Sequence, residues 1–594
     1  MDISEYGLFH HSETAILGCY VFIRFILERC LNILSMQRKQ KIHQPRIWIL
    51  VELFVLIYCL IGNLPSQARE LIYSFAQFSC NTSNPYQLDF LYLVKLLQES
   101  HPNVYANFPK EDFDQEKERI LEELAMREPV SDFALQLQQF CARIGDAHTR
   151  INYYNGIQKT QDVFPIIVTV FQDDFYVMNF DADIEMKYVG AKILAVNGMP
   201  MTQVMQHLGN LASCENEICR KEEITHYLQE PSTLQFAGII RDNEPLTLTV
   251  TGLDGTEQIM TISTIAKSAV NEVKWANRSM ETHPVTARKN VWFQYKILPE
   301  SQLCYVQLNE FLDRQTLQFS LQEMGTELFR QQFGIDAIAL EQYPDFREFL
   351  HQMFRDIQHQ HIHTLVIDLR HNPGGNSLLG QQLMYYLQDI PGVLKGYVEG
   401  LKLSPLMQSQ YPKIFDEEKH LYEAHYGKDT LTLPKYIGDM STYKDVPSPK
   451  ERIYRRTQFF QKITEHDSKF AMFSMTPPNP RFSGKVFLLI GPGTYSSASW
   501  FATEMSDNHL ATLVGQPIGQ KPTSFGDNLY FRLPHTKVEG TVSHRMFYRP
   551  DATKDDDPTL YPDFEVWPTI DDILNGRDPV FDKVLELIAQ DKEP

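Results

Sequence analysis

Little cysteine and a deficit of basic residues set the first limits on this 594-residue chain. Its eight cysteines are too few for a scaffold held together by disulfides. There are 55 Lys and Arg against 75 Asp and Glu, a net charge of −20 that predicts no nucleic-acid partner, because phosphate binding needs a concentrated basic face. Hydrophobic residues make up 43% and charged residues 22%, which excludes a disordered, collagen-like or multi-span membrane chain. The length allows about three or four domains.

The sequence also lacks an unbroken apolar run of the about 20 residues that span a bilayer. The run at 47–62 has 16 residues and contains Glu52; basic residues precede it, and the small residues Ser66 and Ala68 follow. This order is typical of a cleaved secretory signal, with a membrane anchor at 47–62 as the alternative. Residues 1–68 are predicted to be an upstream extension plus signal peptide or anchor. The rest is expected to be exported: periplasmic, secreted, or held at the membrane by this segment alone.

Five cysteines follow that segment. Cys214 and Cys219 are the nearest pair in sequence and the candidate disulfide in an oxidising compartment. The alternative is that these cysteines are free and buried, and behave as small hydrophobes.

The first part of the mature chain, residues 69–155, is predicted to be helical, as the i, i+3, i+4, i+7 spacing of Phe90, Leu93, Val94 and Leu97 indicates. Residues 160–268 then change to short β-rich runs.

One of these runs, Val189–Gly198, reads as a strand closed by an Asn-Gly turn, in which both residues tolerate a positive φ. The pattern resembles a PDZ-like module, a small sheet whose free edge takes an extended peptide as an added strand.

Residues 285–594 alternate strands and helices. Apolar strands at 364–370, 486–490 and 511–514 are separated by glycine turns and helical stretches, an order that predicts a parallel-containing sheet covered by helices. Residues 380–480 are charged, broken by prolines, and predicted to be an insertion. The predicted fold class is therefore multidomain α/β.

Ser496 is the candidate nucleophile. It lies where a buried strand turns through Gly491 and Gly493 into a helix. At a helix N-terminus, unpaired N–H groups and the positive dipole end stabilise a developing oxyanion. The alternative is that Ser496, or the nearby Thr494 or Ser497, simply caps the helix. The sequence has no Gly-x-Ser-x-Gly elbow, His-Glu-x-x-His motif or dinucleotide fingerprint, and we expect no metal and no cofactor.

A second feature, Asp368-Leu-Arg-His-Asn-Pro-Gly-Gly375, lies at the carboxyl end of a buried strand. Ligands bind at that edge of a parallel sheet, and a Gly-Gly pair lets backbone N–H groups approach a substrate. An ordinary strand-to-helix turn is the alternative.

Together these segments resemble the tail-specific, or C-terminal processing, serine peptidase family. The motifs that occur in family order are Asp368-Leu-Arg-x-Asn-x-Gly-Gly375, Thr494-Tyr-Ser-Ser-Ala498, Val514-Gly-Gln-Pro517 and Pro562-Asp563 with Gly576-x-Asp578-Pro-Val580. The resemblance extends from about residue 85 to the C-terminus. It implies a ClpP/crotonase-like catalytic domain, Ser496 as the nucleophile, and an oxyanion hole built from the backbone of Gly374 or Gly375 and the N–H of Ser497.

The base that activates Ser496 has two candidates. Lys521 lies 25 positions later, where dyad-type members carry a lysine base, although the local sequence departs from their Phe-Gly-Lys-Gly pattern. His148, in a Gly-Asp-Ala-His-Thr motif, matches a branch that resembles the chlamydial protease-like activity factor. In that branch a histidine works with an acid near the C-terminus, which by position is Asp556. Imidazole has a suitable pKa without tuning, whereas a lysine base must be buried, so we favour Ser496/His148/Asp556 over Ser496/Lys521.

The sequence thus predicts an exported serine endopeptidase with polypeptide substrates, which the resemblance suggests are bound through their C-termini. It does not identify the residues that bind substrate. The rival prediction is a non-catalytic ligand- or peptide-binding protein, since retinoid-carrying relatives share the fold.

Overall fold

A computed structural model describes residues 84–126, 132–152, 162–180, 186–273, 275, 282–387, 395–438 and 481–590. The predicted signal or anchor at 1–68 and much of the predicted insertion lie outside these residues. Among the described helices, none is both long and apolar enough to cross a membrane.

The helices are α1 Pro85–Ser100, α2 Lys110–Met126, α3 Phe133–Ala142, α4 Met201–Gly209, α5 Glu217–Tyr227, α6 Pro231–Phe236, α7 Arg314–Phe333, α8 Phe346–His359, α9 Ser377–Leu387, α10 Pro405–Gln410, α11 Pro412–Tyr426, α12 Ser497–Asp507, α13 Ile570–Leu574 and α14 Pro579–Gln590. The strands are β1 Arg150–Ile151, β2 Asp162–Val163, β3 Ile166–Phe171, β4 Asp174–Phe180, β5 Lys192–Val196, β6 Met199–Pro200, β7 Leu246–Thr251, β8 Glu257–Ile262, β9 Ile265–Ala266, β10 Phe293–Leu298, β11 Leu303–Leu308, β12 Thr364–Asp368, β13 Val398–Leu403, β14 Lys435–Ile437, β15 Lys485–Ile490, β16 Thr512–Gly515, β17 Ser524–Arg532, β18 Glu539–Tyr548 and β19 Phe564–Glu565.

The central sheet has six strands in the order β10-β11-β12-β15-β16-β19. Only β10 pairs antiparallel; the other neighbours are parallel, with Ile367 opposite Leu488 and Leu488 opposite Leu513. Every residue of β12 is buried, as expected for a parallel strand covered on both faces. One core lies between this sheet and α8, α9 and α12, and a second lies under α14. The predicted α/β fold class with a parallel-containing sheet is confirmed.

The β-rich stretch forms a separate antiparallel sheet in the order β3-β4-β5-β7-β8, with β6 added to β5. Residues of α4, α5 and α6 fill its core. Asn197 and Gly198 have φ values of +45° and +79°, so the Asn-Gly pair makes the predicted tight reversal between β5 and β6. The likeness of this module to a PDZ domain stays a prediction.

The N-terminal helices share a third core with strands from the C-terminal half of the chain. This core joins α1 to α3 with β13, β17 and β18. Asp89 of α1 is fully buried and accepts hydrogen bonds from the backbone N–H groups of His535 and Thr536, at 3.0 and 2.6 Å. Helix α1 is therefore held beside the hairpin of β17 and β18.

Among the described cysteines both predicted alternatives occur, a disulfide bond and free buried thiols. Cys214 and Cys219 form a disulfide bond, whereas Cys141 and Cys304 are free and buried.

Candidate functional site

Ser496 occupies the turn between β15 and α12, where its backbone is strained. Its φ of +49° and ψ of −122° are rarely adopted by a residue with a side chain, and such strain is commonly stored at functional sites. Thr494 holds the turn from inside: its hydroxyl donates to the carbonyl of Leu369 at 2.9 Å and accepts from the N–H of Gly491 at 3.1 Å. Ser496 stands at the N-cap position of α12 but its side chain makes no capping hydrogen bond, which leaves the hydroxyl available.

A buried glutamine that the sequence analysis passed over supports this turn. The backbone N–H of Ser496 donates to Gln520 Oε1, and Gln520 Nε2 donates to the Ser524 hydroxyl at 3.0 Å. Gln520 is only 2% exposed, so water does not compete for these hydrogen bonds. Its neighbour Lys521, one of the two predicted bases, is half-buried. Among the described residues, no hydrogen bond or ion pair joins Lys521 to Ser496.

His148 reaches Ser496 across 348 positions of sequence: its Nε2 lies 3.3 Å from Ser496 Oγ. Strand β1 begins two residues later and pairs with β18, where Arg150 lies opposite Thr541. The hydroxyl of Thr541 also donates to the carbonyl of His148 at 2.8 Å. Strand β18 thus holds the carbonyl of His148 and the strand that follows it, and the imidazole ring is only 13% exposed.

Asp146, two residues before His148, is a fully buried acceptor. Its Oδ2 accepts the hydroxyl protons of Thr149 at 2.5 Å and Ser543 at 2.7 Å, and His101 Nε2 lies 3.2 Å away. Its Oδ1 accepts from the backbone N–H of His148 at 3.0 Å and lies 3.7 Å from His148 Nδ1. Burial alone would raise the pKa of Asp146, but His101 and His148 hold it well below its usual range.

A second carboxylate, Glu215, approaches from the β-rich module. Its Oε2 accepts from the Tyr495 hydroxyl at 2.6 Å, and its Oε1 accepts from the backbone N–H of Ala147 at 3.3 Å. The ring of Tyr495 lies 5.6 Å, centroid to centroid, from that of His148. Burial and the charge of Asp146 raise the pKa of Glu215 to about 7, against the opposing effects of His148 and the Tyr495 hydroxyl.

The pKa of His148 is raised above its ordinary value. Burial acts in the opposite direction, but the carboxylates of Asp146 and Glu215 favour the imidazolium and outweigh both burial and the positive charge of Arg150. His148 Nδ1 makes no hydrogen bond with any described residue. With the proton on Nδ1, Nε2 is free to accept from the Ser496 hydroxyl.

Asp556, the predicted acid partner of His148, lies on an exposed position. Within the described part of the chain, the carboxylates that interact with His148 are those of Asp146, Glu215 and, through its charge, Asp527. The neighbouring Asp557 accepts from Arg549, which also makes a buried bidentate ion pair with Asp507 at the end of α12. This acidic segment therefore anchors the end of the Ser496 helix.

The predicted oxyanion hole lies against Ser496. Gly374 and Gly375 have φ values of +110° and +126°, and a Cβ on Gly374 would lie 2.6 Å from the Cβ of Ser496 and 2.9 Å from the backbone N of Ser497. The N–H of Gly374 already donates to Asn372 Oδ1 at 2.9 Å. Among the described residues, the N–H groups of Gly375 and Ser497 have no acceptor. The structure thus leaves Gly375 and Ser497 as the two available donors.

Asp146, His148 and Glu215 also bring potential metal-ligand atoms within 4.8 Å of one another. Asp146 Oδ2 already accepts two hydroxyl protons, and each oxygen of Glu215 accepts one hydrogen bond. These atoms are committed to a hydrogen-bond network rather than directed at a common point, which is a poor fit to a metal centre.

The Asp368–Gly375 and Gly576–Val580 motifs of the sequence meet in a buried ion cluster. Arg370 lies between Asp368 and Asp578, with which its guanidinium makes hydrogen bonds of 2.7 to 3.2 Å. Burial alone would raise the pKa of Asp578, but the charge of Arg370 and hydrogen bonds from Arg370 and Thr286 outweigh burial and lower the pKa to about 2. This cluster ties the C-terminal helix α14 to the end of β12, shortly before Gly374 and Gly375 in the chain.

Comparisons with known proteins show similarity to a peptidase family and to solved structures. Residues 302–566 match the model of Peptidase family S41. The crystal structure of mature CPAF is similar, with a TM-score of 0.57 and 17% sequence identity over 86% of this chain and 98% of that one. The structure of mature CPAF complexed with lactacystin has a TM-score of 0.56 and 17% identity, over 85% of this chain and 98% of that one. At this identity the likeness shows a shared fold. No curated protein sequence matches the chain.

Proposed function

We propose that this chain, whose residues 302–566 match the model of Peptidase family S41, is a serine endopeptidase with Ser496 as nucleophile and His148 as general base. The observation that carries the proposal is the 3.3 Å distance between His148 Nε2 and Ser496 Oγ, which is within reach for proton transfer before a substrate tightens the site.

The reaction would proceed by acyl transfer. Ser496 Oγ attacks the carbonyl carbon of the scissile peptide bond while its proton passes to His148 Nε2. The oxyanion that forms would accept hydrogen bonds from the N–H groups of Gly375 and Ser497. When the C–N bond breaks, the imidazolium returns the proton to the leaving amine, and an acyl-enzyme remains on Ser496. Water, deprotonated by His148, then releases the acyl group and restores the hydroxyl.

We assign the role of orienting His148 to Asp146 rather than to Asp556. Asp146 is buried, carries a depressed pKa and accepts from the backbone of His148, so its negative charge persists beside the ring at neutral pH. A persistent charge of this kind stabilises the imidazolium that forms during the reaction. Lys521 is assigned no proton transfer, because the described contacts of Ser496 are with His148 and Gln520.

The substrates would be polypeptides, entering in extended form past the β-rich module, which we propose recognises them in a PDZ-like manner, through their C-termini. We also propose that the protein acts outside the cytoplasm. The Cys214–Cys219 disulfide supports this, because such bonds persist in oxidising compartments, as does the signal-like segment before residue 69.

The test is labelling by a fluorophosphonate probe, which reacts with activated serines. The wild-type protein is expected to be labelled at Ser496 and to cleave casein carrying a quenched fluorophore. Ser496→Ala should lose both activities, a fall of at least about 10⁴-fold in hydrolysis.

The matched control is Ser499→Ala, one turn further along the same helix and buried without a role in the proposed chemistry. Equal activity of Ser496→Ala and wild type would refute Ser496 as nucleophile. A folded wild-type protein that neither labels nor cleaves would favour the non-catalytic binding protein.

A further inference from the structure

Glu215 connects the two segments that carry the reacting side chains. Ala147, whose N–H it accepts, immediately precedes His148, and Tyr495, whose hydroxyl it accepts, immediately precedes Ser496. One carboxylate therefore bonds both the backbone of the residue before His148 and the side chain of the residue before Ser496. It comes from the β-rich module, and lies outside the matched peptidase region.

We propose that Glu215 is a positioning residue, which holds His148 and Ser496 at reacting distance by joining Ala147 to Tyr495. The inference rests on the proposed serine peptidase function and adds to it a third segment of the chain. Apart from this carboxylate and the direct contact between His148 and Ser496, the described hydrogen bonds support His148 through β18 and Ser496 through Gln520.

The loop that carries Glu215 is itself fixed, as a positioning residue requires. Its ends are joined by the disulfide between Cys214 and Cys219. Within it, Asn216 Oδ1 accepts from the N–H of Cys219 at 3.0 Å, and Asn216 Nδ2 donates to the carbonyls of Ile518 and Pro558 at 3.2 and 3.1 Å. The loop is thus bonded directly to the peptidase domain, two residues before Gln520.

The other side of the loop is held by the N-terminal helices. Gln138 of α3 is 2% exposed, and its Nε2 donates to the carbonyl of Leu211 at 2.7 Å and the hydroxyl of Ser213 at 3.1 Å. The Oε1 of the same side chain accepts from the N–H of Ile151, three residues after His148. Gln138 therefore ties the approach to the Glu215 loop to the strand that follows the base.

The experiment compares Glu215→Ala with Glu215→Gln in fluorophosphonate labelling, measured over a range of probe concentrations. Alanine removes both hydrogen bonds, and we expect the maximal labelling rate to fall about 10²-fold, the loss typical of a misplaced catalytic group. The apparent affinity for the probe should change by no more than about 3-fold, because Glu215 is not placed to contact the probe. Glutamine keeps an acceptor for Ala147 and a hydrogen-bonding group for Tyr495, and should restore the rate to within about 5-fold of wild type.

The control is Glu217→Ala, on the same loop with its side chain 70% exposed, which should label like wild type. Thermal unfolding shows whether each variant folds. If Glu215→Ala does not fold, Tyr495→Phe takes its place in the test. This variant removes a single hydroxyl at the other end of the contact and should slow labelling about 10-fold. In the double variant that combines Glu215→Gln with Tyr495→Phe, the effect of Tyr495→Phe on the labelling rate should not add to the effect of Glu215→Gln.

Wild-type labelling of folded Glu215→Ala, or of Tyr495→Phe where the alanine variant does not fold, overturns the proposal. Labelling of Glu215→Gln that is as slow as labelling of Glu215→Ala also overturns it, because the hydrogen bonds to Ala147 and Tyr495 would then not explain the loss of labelling rate. If labelling persists in Ser496→Ala, the proposed function itself has failed. If Ser496→Ala is unlabelled while Glu215→Ala labels normally, only the role of Glu215 is refuted.

Discussion

Arg370 and His148 are both nitrogen bases placed between two carboxylates, and they differ in how completely they are bonded. The guanidinium of Arg370 makes hydrogen bonds to both oxygens of Asp368 and of Asp578. Burial disfavours its charge, but the two aspartates outweigh burial and raise its pKa further above an already high value. This cation does not titrate, all three of its side-chain nitrogens donate to the two aspartates, and its contacts fix the end of β12 and the C-terminal helix.

His148 lies between Asp146 and Glu215 and is hydrogen-bonded less completely than Arg370. Its Nδ1 is 3.7 Å from Asp146 and makes no hydrogen bond among the described residues, while Nε2 faces Ser496. The pKa of His148 is raised above its ordinary value by the neighbouring carboxylates, and imidazole can change its charge during a reaction. A fully bonded, permanently charged base stabilises structure, whereas an incompletely bonded base that titrates is suited to move protons. The three predictions below test this difference.

The largest effect is expected for His148→Ala. Removing the base should lower kcat/KM for casein hydrolysis at least about 10⁴-fold, because the hydroxyl of Ser496 is a weak nucleophile without it. The thermal unfolding midpoint should change little in comparison with the activity.

Lys521→Ala is the comparison for this variant and should retain activity within a few-fold. The opposite result, an inactive Lys521→Ala and an active His148→Ala, would establish the Ser496/Lys521 dyad instead.

The second prediction concerns Arg370→Met, which should damage the fold. It leaves Asp368 and Asp578 buried without their counter-ion, a change that costs about 3–5 kcal/mol of unfolding free energy. Urea unfolding measures the fall in the midpoint.

Arg577→Met is the matched control, since this neighbouring arginine pairs with Asp571 and Asp572 on the exposed surface. Its midpoint should match that of wild type. A stable Arg370→Met protein would remove the distinction between the two clusters.

The smallest effect is a shift in pH dependence. His148 must be neutral to act as a base, and its pKa is raised above the ordinary value of about 6.5, so labelling of Ser496 should increase as pH rises through that raised pKa. Asp146→Asn removes a charge that favours the imidazolium, which should move the acid limb of the profile to lower pH.

Asp556→Asn should leave the acid limb of the pH profile at the same pH as in the wild-type protein. Rates of fluorophosphonate labelling between about pH 5 and 9 measure the profile. A limb that moves with Asp556→Asn and not with Asp146→Asn would return the role of the acid to Asp556.

Much of the nucleophile half of the site could be predicted from the sequence, because it is local. The apolar strand ending at Ile490, the glycines after it and the helix from Ser497 lie within about twenty residues, and their order predicts a strand–turn–helix with Ser496 at the turn. The Asn197-Gly198 turn was predictable for the same reason.

The partners of the base could not be predicted in this way. Asp146 lies in the same short motif as His148, yet a nearby carboxylate becomes a partner only when β18 closes over it and supplies Ser543. Glu215 and Gln520 carried no motif. A signal for Glu215 was its place inside the Cys214–Cys219 loop, since a disulfide between cysteines only five positions apart holds the side chains between them firmly.

The sequence by itself determined the α/β class, the parallel strands and the position of Ser496, because hydrophobic periodicity and turn chemistry act between residues close along the chain. Only the tertiary structure decided which base and which acids lie beside that serine. His148 depends on β1 pairing with β18, and Glu215 on a loop fixed by three different parts of the chain. Such contacts arise from the packing of separate cores, and the energies that select them are shared over many residues rather than encoded in a local pattern.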